Sequence, residues 1–172
     1  TELLWEKMPV TLSLGIWSTL LIYVIAIPLG IKKARQHGLV FDRISSFFLA
    51  LGFAVPAFVM GIVLIVFFAG GSYFQWFPLQ SLVSENFNEL SMFGKIKDYA
   101  WHMALPLLTL LLGGLASLTY LTKYSFKEQL NQPYVLSAFA KGLNPQQVLY
   151  RHVFRNAILV IVAGLPAGLV GM

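Results

Sequence analysis

The residues that could perform covalent chemistry are few in this sequence. It contains no G-x-x-x-x-G-K-[ST] phosphate loop, no H-E-x-x-H zinc-binding helix and no G-x-S-x-G nucleophile elbow. It also lacks cysteine, so neither a catalytic thiolate nor a disulfide framework is available. We therefore expect a chain that is not an enzyme, with no catalytic residue, no metal ligands and no cofactor.

A candidate binding site is the basic, turn-containing stretch over residues 138–156, AFAKGLNPQQVLYRHVFRN. Just before it, Pro133 opens a sequence that predicts a helix of about two turns over residues 134–141. Gly142 suits the left-handed conformation that follows many helix ends, and Leu143 can fold back on the last turn. We therefore predict a positive φ angle at Gly142.

A second helix is predicted to begin directly after this turn. Asn144 is a favourable N-cap, Pro145 fits the first helical position, and Gln147 stands at the third, as in a capping box. The helix can then continue through Arg155 into the next apolar segment. A helix, a sharp turn and another helix make a more specified unit than an ordinary surface elbow, which is the alternative interpretation.

Composition indicates the environment in which these elements lie. Charged residues make up 11% and aromatic residues 15% of the 172, and the mean hydropathy is +0.74, values typical of membrane proteins. The formal net charge of +5 could suggest nucleic acid, but the basic residues lie in short gaps between long apolar runs. We therefore expect membrane lipid around the chain and no nucleic-acid partner.

Four apolar segments predict an all-α, polytopic transmembrane helical bundle. A helix of about 20 residues crosses a hydrocarbon core about 30 Å thick, and the segments run over residues 10–31, 44–69, 99–122 and 156–172. We expect one partial transmembrane domain over residues 1–172, with the fourth span cut short and a cytoplasmic loop over residues 123–155. The prolines inside the segments are interpreted as kinks and not as helix ends: Pro28, Pro56, Pro106 and Pro166.

Lysine and arginine predict the orientation of the spans. Nine of the twelve basic residues lie in two gaps, over residues 32–43 and 123–155, and three lie elsewhere. By the positive-inside tendency, the two basic gaps face the cytoplasm, whereas the N-terminus and residues 70–98 lie outside. Ser84 is then external and Gln146 cytoplasmic.

Aromatic residues mark the predicted outer boundary of the second and third segments, at positions 73, 74, 76, 77, 99 and 101. Amphipathic rings favour the headgroup level, so we interpret them as membrane anchors, with contact to a partner as the alternative. His102 lies in the same region, where a packed or interfacial imidazole is favoured over a ligand.

Several fragments, in this order along the chain, resemble one family of membrane proteins. The first set is Pro28-Leu29-Gly30, Asp42-Arg43, Val55-Pro56-Ala57-Phe58, Trp76-Phe77-Pro78 and Leu105-Pro106. The second set is Tyr134-Val135, Ala138, Ala140-Lys141-Gly142-Leu143, Arg151-His152 and Arg155-Asn156-Ala157. The second set looks like the cytoplasmic EAA loop of permease subunits of ATP-binding-cassette importers of the oligopeptide, dipeptide and nickel type. The long outer stretch looks most like the branch that imports oligopeptides and microcin C-like conjugates.

The resemblance implies transport without catalysis in this chain, at a bacterial inner membrane. A periplasmic substrate-binding protein delivers a peptide, this chain and a second permease subunit form the pathway, and ATP-binding-cassette ATPase subunits bind beneath the EAA loops. The resemblance also implies one span before these residues and one after them, in a six-span subunit. It leaves the substrate-binding residues unidentified. The residues implied to couple to the ATPase are Tyr134, Val135, Ala138, Ala140, Lys141, Gly142, Leu143, Asn144, Arg151 and His152.

Two other classes of membrane protein fit the apolar segments less well. A secondary transporter or channel that works without ATP is expected to show buried charges, a filter-like segment or internal repeats, and the sequence shows none. An intramembrane enzyme needs paired polar catalytic groups at membrane depth, where the spans offer only scattered Ser and Thr.

Overall fold

The computed structural model describes residues 2–70 and 73–164, and these residues form helices and connecting turns without a β-strand. The all-α prediction is thus confirmed. A π-helical segment, Val148–Val153, joins α6 to α7, and a short 3₁₀ turn, Phe87–Glu89, precedes α4. The α-helices are α1 (Glu2–Arg35), α2 (Val40–Ala54), α3 (Ala57–Phe68), α4 (Met92–Leu130), α5 (Pro133–Ala140), α6 (Pro145–Gln147) and α7 (Phe154–Ala163).

The two longest helices, α1 and α4, pack against each other and form the centre of the fold. Their 34 and 39 residues correspond to about 51 and 58 Å, so each is longer than a bilayer core and apolar enough to cross it. They approach each other closely at Gly30, where an added Cβ would lie 2.5 Å from Thr122 Cβ and 2.8 Å from the Thr119 carbonyl oxygen. Glycine at this position therefore allows the two backbones to meet.

Pro56 interrupts the second apolar segment. α2 ends at Ala54, Val55 is extended (φ −90°, ψ 121°), and α3 begins at Ala57 with its axis bent by 89° from that of α2. Proline has no N–H to donate, and its ring disfavours a helical conformation in the residue before it. The prediction that Pro56 merely kinks one helix is therefore wrong. The two helices together have the length and composition of a broken span or of a re-entrant pair.

The other predicted kinks and boundaries have different outcomes. Pro28 and Pro106 lie inside α1 and α4, as predicted, whereas Pro166 lies outside the described residues. The third apolar segment is part of the longer α4, which continues to Leu130, so the first eight residues of the predicted loop over 123–155 are helical. The part of the fourth segment that the structure describes belongs to α7, which ends at Ala163 and is followed by Gly164.

The segments that the basic-residue pattern places outside lie together at one end of α4, here called the aromatic end (residues 73–102). Trp101 donates through Nε1 to the Trp76 carbonyl oxygen at 2.9 Å, and its ring stacks on Phe77. The backbone N–H of Ser84 donates to Asp98 Oδ2 at 2.9 Å. His102 is packed, with its side chain 6% exposed and its Nδ1 2.9 Å from the Asp98 carbonyl oxygen.

The two gaps predicted to be cytoplasmic lie together at the opposite end of α4, here called the basic end (residues 32–46 and 120–156). Lys127 Nζ is 2.8 Å from His37 Nε2, and the Tyr120 hydroxyl donates to the Ser46 carbonyl oxygen at 3.4 Å. The larger hydrophobic core lies at this end and in the adjoining half of α1 and α4. Its fully buried members include Ala26, Phe126, Val153, Ala157 and Ile161.

The predicted orientation can be tested with single cysteines at the two ends. Ser84 is hydrogen-bonded to Asp98, so the exposed Asn86 nearby is the better external position, paired with the exposed Gln146 at the basic end. In the full-length protein, freed of any cysteine outside these 172 residues, Asn86→Cys should react with an impermeant thiol reagent in intact spheroplasts. Gln146→Cys should react only after the membrane is opened. The reverse pattern would overturn the orientation.

Candidate functional site

The short helix α5 at the basic end is held in place by one buried face. Val135 and Ala138, three positions apart, are 2% and 6% exposed. They belong to the same core cluster as Phe126 of α4 and Val148 and Leu149 of the π-helical segment. Two elements, α4 and the π-helical segment, therefore hold α5 in position, although the helix has only eight residues and could not form by itself in water.

The turn after α5 has the predicted left-handed glycine. Gly142 has φ +82°, and its N–H donates to the Phe139 carbonyl oxygen at 2.9 Å. The N–H of Leu143 reaches back to the Ala138 carbonyl oxygen at 3.3 Å. These two bonds form a Schellman motif, with Lys141 as the C-cap, so the predicted helix is shifted by only one residue.

The helix that follows begins with the predicted capping box. The N–H of Gln147 donates to Asn144 Oδ1 at 2.8 Å, and the Asn144 N–H donates to Gln147 Oε1 at 3.1 Å. α6, the π-helical segment and α7 then follow one another without a gap, so the predicted helix through Arg155 is confirmed. A single turn, capped on both sides, thus connects α5 to a long helix.

The residues that the resemblance implies for coupling fall into three classes of exposure. Val135 and Ala138 are buried, where they can anchor α5 but cannot touch a partner directly. Tyr134 and Leu143 are half-buried, and the Tyr134 hydroxyl donates to Gln129 Oε1 at 3.0 Å. The exposed residues are Ala140, Lys141, Gly142, Asn144, Arg151 and His152.

Sequence reasoning missed two apolar side chains on the exposed face of α5. Leu136 is 72% exposed and points away from Val135 and Ala138, whereas Phe139, four positions after Val135, is 42% exposed at the edge of the buried face. The signal was available, because successive helical residues are about 100° apart, which places Leu136 away from the buried pair and Phe139 at its edge. Together with the turn, they form what we call the α5 surface: Leu136, Phe139, Lys141, Gly142 and Asn144.

A polar, cationic pocket lies beside the α5 surface. It measures about 390 Å³ and is lined by Tyr134, Arg151, His152, Arg155 and Asn156. Arg151 and Arg155 stand four positions apart, and no carboxylate of the described residues pairs with either of them. The pocket suits an anionic group, such as an acidic side chain of a protein.

A buried charge cluster at the basic end was also missed. Asp42 accepts from Lys123 Nζ through both carboxylate oxygens at 2.8 Å, and its Oδ1 is 3.1 Å from Lys33 Nζ. The side chains of Asp42, Lys123 and Lys33 are 5%, 6% and 0% exposed, respectively. They come from α2, α4 and α1, so the cluster ties three helices together.

Hydrogen bonds compensate most of the cost of burying these charges. Lys33 Nζ also donates to the Asp42 carbonyl oxygen at 2.9 Å and to the hydroxyls of Ser45 and Ser46 at 2.7 and 2.8 Å. Asp42 Oδ2 accepts from the Gly38 N–H at 2.9 Å. With each ammonium group engaged in at least two contacts, the cluster suits a structural role better than ion transport. Its sequence signal is that Asp42 is the only acidic residue between Glu6 and Glu85 and lies among lysines and arginines.

The basic end presents a candidate binding surface and no candidate metal centre among the described residues. Across the described residues, no group of three His, Cys, Asp or Glu side chains is placed to hold a metal ion. The α5 surface instead combines exposed apolar side chains with a rigid turn and a neighbouring cationic pocket. Such a combination is typical of protein–protein contacts, whose centres are apolar and whose rims are polar.

Comparison with known proteins agrees with this geometry. Residues 26–172 match the family described as "Binding-protein-dependent transport system inner membrane component". The chain is 52% identical over 170 residues to the inner membrane ABC transporter permease protein YejB of Escherichia coli O157:H7. This alignment covers 99% of the chain and 47% of the relative. It is 52% identical to the peptidoglycan transport system permease protein YejB of Agrobacterium fabrum, over 98% of the chain and 46% of the relative.

A more distant relative is the oligopeptide transport system permease protein AppB of Bacillus subtilis. It is 33% identical over 94% of the chain and 49% of the relative. The chain thus spans about half the length of the curated relatives that it matches. The family match covers most of the chain, and two helices, or three spans if α2 and α3 count as one, are apolar and long enough to cross a membrane. The chain therefore belongs to the family of inner-membrane components of binding-protein-dependent transport systems.

Proposed function

We propose that the chain is part of the membrane-spanning permease of an ATP-driven importer for peptides or peptide-like solutes. In this proposal the spans line the translocation pathway together with a second permease subunit. A periplasmic binding protein delivers the solute to the aromatic end, and separate ATPase subunits bind at the basic end. The names of the relatives, which include peptidoglycan and oligopeptide transport systems, support a peptide-like solute.

The observation that carries the proposal is the exposure of Leu136 and Phe139 on α5. Both lie on a short helix outside the long apolar helices, at the end where the basic residues favour the cytoplasm. The free energy falls when a partner covers apolar side chains that would otherwise contact water. A soluble ATPase subunit is the partner that the family resemblance implies for this surface.

The core contacts of α5 explain how such a partner could act on the pathway. Val135 and Ala138 pack in one cluster with residues of α1, α4 and α7. A displacement of α5 by the ATPase subunits must therefore move these helices as well, because close-packed side chains leave little free space. In this mechanism, ATP-driven closure of the ATPase subunits brings the two α5 surfaces together and switches the pathway between inward- and outward-facing states.

The proposal is tested by removing the exposed apolar contacts of α5. The double substitution Leu136→Ser and Phe139→Ser in the full-length permease should weaken its association with its cognate ATPase subunits at least tenfold. A tenfold loss corresponds to about 1.4 kcal/mol, less than the cost of leaving two such side chains unburied. Affinity would be measured by titrating purified ATPase subunits onto the permease in nanodiscs.

A matched control for this test is Leu39→Ser. Leu39 is 60% exposed and lies at the basic end, but it precedes α2 and is not part of the α5 surface. The Leu39→Ser permease should bind the ATPase subunits with wild-type affinity. Wild-type affinity in the double variant, or an equal loss in the control, would overturn the assignment of the α5 surface.

A further inference from the structure

We infer that a groove between the end of α1 and the π-helical segment binds one anionic phospholipid of the cytoplasmic leaflet. The groove measures about 550 Å³. Its lining includes Ile27, Ile31 and Phe154 on the apolar side and Lys32, Arg35 and Tyr150 on the polar side. The inference depends on the orientation of the basic end, and it does not depend on the proposed transport activity.

The groove changes from apolar to cationic along its length. Ile27 and Arg35 are eight residues apart on α1, which corresponds to about 12 Å along the helix axis. The apolar lining residues come first along α1, and the basic ones stand in its last turn. A phospholipid has the same order of groups, with acyl chains on the membrane side and a phosphate at the interface.

The two basic residues are available to a phosphate group. Neither Lys32 nor Arg35 forms an ion pair with a carboxylate of the described residues. Lys32 Nζ lies 4.1 Å from the centre of the Phe41 ring. This cation–π contact positions the ammonium group and leaves its N–H donors available to an anion. Arginine can bind a phosphate through two parallel hydrogen bonds.

The charge around the groove favours an anionic headgroup over a zwitterionic one. The charged residues that line the groove are Lys32 and Arg35, and no carboxylate is among its lining residues. Basic residues at the cytoplasmic surface attract anionic lipid more strongly than zwitterionic lipid. A segment of protein that filled the groove would need both an apolar face and an acidic residue at matching positions.

The test is lipid retention by the full-length protein. Purified protein would be reconstituted with phosphatidylcholine alone or with added phosphatidylglycerol, stripped by detergent and examined by native mass spectrometry. We expect one retained phosphatidylglycerol per chain and no comparable retention of phosphatidylcholine. The double substitution Lys32→Gln and Arg35→Gln should reduce this retention at least tenfold, whereas Lys95→Gln with Lys97→Gln, at the aromatic end, should leave it unchanged.

A crosslinking arm distinguishes lipid from protein as the occupant. Tyr150→Cys, in a background without other cysteines, would be labelled with a benzophenone maleimide and irradiated in bilayers that contain phosphatidylglycerol. Crosslinks to lipid are expected. Crosslinks to protein alone would overturn the inference, as would a wild type that retains no phosphatidylglycerol or a Lys32/Arg35 double variant that retains it fully.

Discussion

The substitution Asp42→Asn is expected to destabilise the full-length protein by about 3 to 5 kcal/mol. Asparagine keeps the shape of the side chain, but it leaves the ammonium groups of Lys33 and Lys123 buried without a compensating negative charge. The loss would be measured as a lower apparent melting temperature of the purified complex in detergent, and as a lower yield of inserted protein. An unchanged melting temperature would contradict the role of the cluster in joining α1, α2 and α4.

Two further variants separate the charge from the packing in this experiment. Replacing all three residues, Lys33→Met, Asp42→Leu and Lys123→Met, should recover much of the lost stability, because an apolar triad of similar volume needs no charge compensation. The exposed Glu89, at the aromatic end, provides the control Glu89→Gln, which should change the melting temperature little. If the triple variant is as unstable as Asp42→Asn, the instability does not arise from uncompensated charge.

The substitution Gly142→Val is expected to abolish solute import while the protein still inserts and folds. Gly142 has φ +82°, and no atom lies within 4 Å of the position of an added Cβ, so the cost is backbone strain and not a steric clash with neighbours. A β-branched residue is strained there by about 1 to 3 kcal/mol. Tilting or fraying of α5 relieves the strain and displaces the α5 surface. Import and solute-stimulated ATP hydrolysis by the reconstituted complex would measure the effect.

Three other variants show whether the conformation of this turn is the cause. Gly142→Asn should retain more activity than Gly142→Val, because asparagine tolerates the left-handed region, and Gly142→Ala should be intermediate. Gly38→Val introduces the same kind of strain at φ +77°, also with no neighbour within 4 Å, but in the turn between α1 and α2. It should leave the ratio of import to hydrolysis unchanged. Wild-type import by Gly142→Val would show that the turn does not control the α5 surface.

Features whose signals lie within a few residues were predictable from the sequence. The Schellman turn needs a glycine after a helix end, and the capping box needs Asn144 and Gln147 three positions apart. Both were found because the side chains and the backbone groups that they satisfy are neighbours in the chain. The pairing of the two basic gaps at one end of α4 was predictable for another reason, since charge sorts to one side of a membrane.

Features that depend on distant residues were not predictable in this way. Asp42 and Lys123 are 81 positions apart, and only the packing of α2 on α4 brings their charges together. The prolines make the same point, because Pro106 lies within a continuous helix whereas Pro56 begins a new one. Residue type is identical in the two cases, so the tertiary surroundings decide between a tolerated proline and a helix end.

The π-helical segment is a third example. The buried residues Leu149, Val153, Ala157 and Ile161 follow one another at intervals of four. In a regular α-helix each such step overshoots a full turn by about 40°, so four residues at this spacing drift away from one face. The wider turn of Val148–Val153 offsets part of that drift. The spacing in the sequence is regular, and the helix geometry adapts to the core that it must cover.

The length of α4 has a geometric consequence for the whole molecule. This helix is bonded near one end to the loop of the aromatic end, through Asp98 and Ser84, and near the other to α2 through Lys123 and Asp42. α5 begins three residues after its last residue, Leu130. For a rod about 58 Å long, a tilt of about 5° around its midpoint moves each end by about 2.5 Å in opposite directions. Small angular changes at the middle of the membrane are thereby amplified into displacements as large as a hydrogen bond on both of its surfaces.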